Sequence, residues 1–188
     1  MVGNPAITRT LTGSFSGFLR GRNFRLFQGY IYLFALTLAL QTGHMLEHVV
    51  QVIQKFVLGS SSAHGLIGRL DIEWVHFGFN TGYFVLLLPL AWGWLAYRRE
   101  IGLLGRRWTG LTVVCLVTLL IQSYHQVEHS VKLAQFLNTS MAGTPGILGA
   151  HFDLILLHFT INSLVYLPLV ILFFGAGFHK RLLPGRAD

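Results

Sequence analysis

The sequence is short of charge: acidic and basic residues make up 11% of its 188 positions, against 53% hydrophobic. Soluble domains carry about a quarter charged residues, so this composition excludes an ordinary water-facing surface. Acid is scarcer than base, with 7 Asp and Glu against 14 Lys and Arg and a net charge of +7. Cysteine occurs once, as Cys115, which excludes an internal disulfide and a thiolate-built metal site. A phosphate-binding glycine loop, a serine nucleophile elbow and a cysteine pair are also missing. Residues 1–25 lack acid and do not read as a removable signal peptide. They fit a basic arm on anionic lipid, and an organellar presequence has a similar composition.

Long charge-free runs are what the sequence has instead. Residues 26–46, 75–97, 108–127 and 154–178 contain no Asp, Glu, Lys or Arg. Each run is about 20 residues or more, enough to cross roughly 30 Å of hydrocarbon at 1.5 Å per residue. The expected fold is therefore an all-α integral membrane protein with four transmembrane helices. Trp74, Trp92, Trp94 and Trp108 lie toward the ends of these runs and read as interfacial anchors.

The basic residues are distributed unevenly. Arg9, Arg20, Arg22 and Arg25 precede the first run; Arg98, Arg99, Arg106 and Arg107 separate the second and third; Lys180, Arg181 and Arg186 follow the fourth. By the positive-inside rule both termini and the middle loop are cytoplasmic, with a bacterial plasma membrane the expected location. The basicity then needs no nucleic-acid partner.

The chain also repeats itself. QTGHMLEHVVQ at 41–51 returns as QSYHQVEHSVK at 122–132, and GLIGRLDIEWVHFGFN at 65–80 as GILGAHFDLILLHFTIN at 146–162. The expected organisation is a basic arm at 1–25, a two-helix membrane repeat at 26–97 with outer loop 57–73, and a cytoplasmic linker at 98–107. A second repeat follows at 108–178 with outer loop 138–152, then a cytoplasmic tail at 179–188. Two units that each cross twice share one orientation, which predicts tandem parallel repeats about a pseudo-two-fold axis along the membrane normal. Asp71 and Asp153 open the second helix of each unit as candidate N-caps.

Both repeats place polar residues where a membrane helix should be apolar. Gln41, His44, Glu47, His48 and Gln51 fall within a stripe of about 120° on a helix, as do Gln122, His125, Glu128, His129 and Lys132. His76 with Asn80, and His158 with Asn162, are i,i+4 pairs on the following helices. Measured from residue 26, His44 lies about 27 Å along its helix and His48 about 33 Å. His76 and His158 begin helices that return from the same side. The four helices should bring these side chains to one outer layer of the membrane, with His48 beside His76 and His44 beside Asn80. Ionisable groups facing lipid there cost roughly 2.5–3.5 kcal/mol at mid-bilayer, so the layer should face the bundle interior.

Histidines at i,i+4 on one face, joined by a third from a neighbouring helix, form a ligand set for a transition metal. The expected ligands are His44, Glu47, His48 and His76 in one unit and His125, Glu128, His129 and His158 in the other, a dinuclear arrangement. The glutamates can ligate, bridge, or accept a ring N–H. Gln41, Asn80, Gln122 and Asn162 are the expected orienting groups, and His151 a possible extra ligand. Imidazole with carboxylate and without thiolate points to copper, zinc or iron rather than magnesium or calcium.

Other readings compete with this one. A hydrogen-bonded His/Glu network would hold the helices together without metal. HxxEH is the ligand order of one class of zinc hydrolases, and His76 with His158 could ligate a b-type haem. The histidine boxes of membrane metal-dependent oxygenases and desaturases share this chemistry, though not the spacing or span count. The scant extramembrane mass favours a subunit of a membrane oxidoreductase or oxygenase complex, with lipid and other membrane subunits as partners.

Overall fold

The computed structural model describes residues 5–182 except Asp71 and Ala142, with side chains from Asn23 onward apart from those two and Arg69. The described residues form six α-helices and no strand. They are α1 Pro5–Val52, α2 Glu73–Ala96, α3 Arg98–Ile101, α4 Gly105–Thr139, α5 Leu154–Gly175 and α6 Phe178–Arg181. A π-helical turn at Ile53–Val57 extends α1. Proline stands at the first position of α1, where its missing N–H costs nothing. The helix then continues for 48 residues, so the N-terminal arm and the first charge-free run share one helix.

The long helices form a closed bundle. α2 packs most extensively on α4 and α1 on α5; α4 also meets α5, and the seam between α1 and α2 is the thinnest of the four. Each long helix of one expected unit therefore packs chiefly on a helix of the other.

One half of the bundle holds an aromatic core. Trp94 stacks on Trp108 with centroids 5.5 Å apart and planes 6° from parallel, and Phe178 meets Phe27, Tyr30 and Phe34. Trp94 is fully buried and Trp108 nearly so, whereas Trp74 and Trp92 are exposed. The anchor reading fits only the exposed pair, because Trp94 and Trp108 face inward and fill the core. A Cβ at Gly93 would overlap the Tyr30 ring, so this glycine lets α1 and α2 approach. The Tyr30 hydroxyl donates to the Leu90 carbonyl at 3.0 Å. Basic residues gather at this end: Arg107 donates to the Gly175 carbonyl and Arg181 to that of Glu100.

Burial is inverted relative to a water-soluble protein. Gln41, His48, Gln122, His125, Glu128, His129 and Asn162 are buried, whereas Leu36, Val85, Trp92, Leu120, Leu167 and Phe174 are exposed. Exposed apolar residues in such number are unfavourable in water and suit hydrocarbon. Among the described residues three helices are long and apolar enough to cross a membrane: α2, α4 and α5, with mean hydropathies of 1.3, 1.4 and 2.0. Of the four expected spans, three meet this measure. α1 is the one that does not.

Candidate metal centre

The histidine layer lies at the end of the bundle opposite the aromatic core. His44 and His48 are one turn apart on α1, with Nε2 atoms 3.1 Å from each other. His125 and His129 stand in the same relation on α4, at 2.7 Å. His76 opens α2 and His158 opens α5. Ring contacts join all six. His129 lies 5.1 Å from His158 and 6.0 Å from His76, centroid to centroid, and His48 lies 6.1 Å from His158. The expected neighbour of His48, His76, is at 6.4 Å. The imidazoles thus form one layer rather than two separate sets.

Within that layer, His125, His129 and His158 form the one group of three metal-ligating side chains found among the described residues. Their candidate donor atoms lie within 4.8 Å of one another, and all three residues are buried. His125 Nδ1, His129 Nδ1 and His158 Nε2 are buried without a hydrogen-bond partner. Tetrahedral zinc–imidazole bonds of about 2.0–2.1 Å set nitrogens about 3.3 Å apart, within reach of small side-chain rotations. The residues fit a metal ion: three converging imidazoles, unsatisfied buried nitrogens and no thiolate.

His44, His48 and His76 do not form an equally tight group. On the first of these helices, His48 Nδ1–H donates to Gln51 Oε1 at 2.9 Å, which fixes the ring and directs Nε2 toward His44. His44 stacks on Phe79 at 4.2 Å.

The carboxylates are engaged with the connecting loops. Glu128 Oε1 accepts from the amides of Ile147 and Leu148 at 2.9 and 3.0 Å, and more weakly from Gly149 at 3.4 Å. Tyr124 donates its hydroxyl to Glu128 Oε2 at 3.3 Å. Glu47 Oε2 accepts from the amides of Leu66 and Ile67 at 2.7 and 3.3 Å. Each glutamate holds the apolar GLI or GIL segment over the layer. Gly65 and Gly146 adopt φ of +65° and +76°, and a Cβ on either would overlap the neighbouring carboxylate.

The four expected orienting amides brace helices instead of imidazoles. Gln41 donates to Asn162 Oδ1 at 3.1 Å, tying α1 to α5, and Gln122 to Asn80 Oδ1 at 3.5 Å, tying α4 to α2. Asn80 and Asn162 donate back to the carbonyls of His76 and His158, each at 2.9 Å. Asn80 therefore meets Gln122, where sequence reasoning expected His44. Gln41 Oε1 and Gln122 Oε1 remain buried and unpartnered.

Two contributors escaped the sequence reading. Gln54 and Gln135 each pair with a loop glycine in both directions, Gly65 and Gly146, at 2.8–3.3 Å. Their shared offset of 81 with the histidine motifs was the available signal. Lys132, one turn beyond His129, pairs with Glu73 at 3.4 Å, both side chains nearly buried. Lys55 pairs with Asp153. Asp153 is the expected N-cap of α5, accepting from Ile155 and Leu156 at 3.1 Å; Asp71 lies outside the described residues. His151 is exposed and does not belong to the three-histidine group.

Comparison with protein-family models, curated proteins and solved structures finds no match.

Proposed function

We propose that the chain is an integral membrane metalloprotein in which His125, His129 and His158 hold a transition-metal ion. His44, His48 and His76 offer a second, looser position. Copper, zinc or iron suits the donors. The observation that carries this reading is the convergence of three buried imidazoles with unpartnered nitrogens. Such an ion, when bound, supplies Lewis-acid or redox chemistry. Around it the chain's own residues position the imidazoles and, through the loops held by Glu47 and Glu128, limit water.

In this reading α1 crosses the bilayer with α2, α4 and α5. Its buried Thr37, Gln41, Glu47 and His48 face protein, while Leu36 and Leu40 face outward. The four spans form two tandem, similarly oriented pairs. Supporting the pairing, Glu47 and Glu128 make matching loop contacts 81 positions apart. The basic end carrying Arg98, Arg107 and Arg181 is cytoplasmic, and the histidine layer faces the other side. The small size and sparse loops favour a metal-bearing subunit of a membrane oxidoreductase complex.

The test is metal analysis of the purified protein in nanodiscs. At least one equivalent of Cu, Zn or Fe is expected. His129→Ala or His158→Ala should weaken binding by more than about 100-fold, and His151→Ala should leave it unchanged. Wild-type protein that neither retains nor takes up a transition metal would overturn the proposal.

A further inference from the structure

The thin seam between α1 and α2 opens into a cleft of about 380 Å³, lined by Leu40, Gly43, His44, Glu47, His76 and Phe79 among others. That volume is in the range of small-ligand pockets, roughly 300–1,000 Å³. Its rim is apolar and exposed, with Leu40, Leu66, Ile67 and Val75 at 43, 68, 37 and 40%. On a bundle whose outer surface suits hydrocarbon, such an opening faces lipid rather than water. The floor differs from the rim, because His44 and His76 are at once wall residues of the cleft and members of the histidine layer.

Charge narrows the occupant. Glu47 is the one carboxylate among the described lining residues, and its oxygens already accept from the amides of Leu66 and Ile67. Among the described residues the lining carries no lysine or arginine. An anionic occupant would meet Glu47 without a compensating base, and a cation would have to leave water for an apolar rim. A neutral molecule with a lipophilic body and one hydroxyl matches the site. Its body would lie along Leu40, Val75 and Phe79, while the hydroxyl, both donor and acceptor, would meet imidazole nitrogen.

We propose that this cleft is a lateral binding site for a neutral lipophilic alcohol entering from the bilayer, with His44 and His76 receiving its hydroxyl. The assignment of this molecule as a substrate rests on the metal-centre reading; the binding itself rests on the cleft. The opening lies at the α1–α2 side of the layer, which makes that side the ligand side.

Gly43 gives a clean test. A Cβ there meets nothing within 4 Å, so Gly43→Leu extends into open space without a backbone clash. Gly29 on the same helix is equally unobstructed but is not a lining residue, so Gly29→Leu serves as the control. The probe is a medium-chain primary alcohol carrying a diazirine, photolysed in nanodiscs, with adducts mapped by peptide mass spectrometry and metal content read on the same samples. Saturable labelling at Leu40, Gly43 or Phe79 is expected. It should fall about tenfold in Gly43→Leu and persist in Gly29→Leu, with metal unchanged in both. Labelling spread over lipid-facing residues, or insensitive to Gly43→Leu, would overturn the cleft assignment. Saturable cleft labelling of wild-type protein that contains no metal would support the cleft and remove the metal reading.

Discussion

Glu128→Gln separates a ligand from a latch. The Glu128 side chain is fully buried and its Oε1 accepts from the Ile147 and Leu148 amides at 2.9 and 3.0 Å. A hydrogen bond to an ionised acceptor contributes about 1.5–3 kcal/mol, roughly twice a neutral one. Glutamine can leave its carbonyl oxygen in the Oε1 position and keep both bonds in neutral form. Its NH₂ must then replace Oε2, which accepts from Leu148 N and Tyr124 Oη at 3.3 Å each. Weakening two strong bonds by half and losing one weak backbone bond comes to about 2 kcal/mol, or about 30-fold in the opening equilibrium of the loop. Hydrogen exchange at Ile147, Leu148 and Gly149 in nanodiscs should therefore accelerate about 30-fold. Metal content should remain at the wild-type level, because no imidazole is touched. Loss of metal with loop protection unchanged would refute the latch and make Glu128 a ligand.

Three further substitutions probe the surroundings of the layer. Lys132→Met leaves Glu73 buried without its partner and should cost about 3–5 kcal/mol in detergent unfolding, with most of that recovered when Glu73→Leu is added. Asp153 is held below its ordinary carboxylate range: burial pushes it up, but the Lys55 ammonium and the Leu156 and Ile155 amides outweigh that. Its stabilisation is complete above the unfolded value of about 4 and is lost as pH falls through the lower folded value. The thermal midpoint of Asp153→Asn, which keeps an N-cap, should lie below wild type at neutral pH and converge with it in acid; a constant gap would contradict the ionic contribution. Gly65→Ala meets both a φ of +65° and the Glu47 carboxylate, whereas Gly59→Ala meets a φ of +64° alone, with nothing within 4 Å. The Gly59 variant should lose about 1–2 kcal/mol in thermal unfolding and the Gly65 variant clearly more, and equal losses would rule out a tight loop–carboxylate contact.

The histidines were legible because each interrupts an apolar helix, and such interruptions are unfavourable unless they share a buried face. Periodicity placed His44 and His48, and His125 and His129, correctly on inner faces. The glutamates were half legible. HxxEH reads the same whether the carboxylate meets an ion or a backbone amide, and the deciding amides lie some twenty residues onward, in the GLIG and GILG loops. Helix partners were not legible, since one polar face serves equally against either neighbour; only packing joined Gln41 to Asn162 and Gln122 to Asn80. The same limit hid the inequality of the two halves. Gln51 and Lys132 occupy matching positions in QTGHMLEHVVQ and QSYHQVEHSVK. Gln51 turns inward and accepts from His48 Nδ1–H, holding that ring by protein alone. Lys132 turns to Glu73, and His129 Nδ1 is left buried without a partner. A ring gives one nitrogen's hydrogen to the protein and offers the other nitrogen to an ion, so Gln51 orients His48 without occupying its Nε2, whereas His129 Nδ1 has no such partner. The exchange of Gln for Lys thus makes the two halves unequal in what orients their histidines.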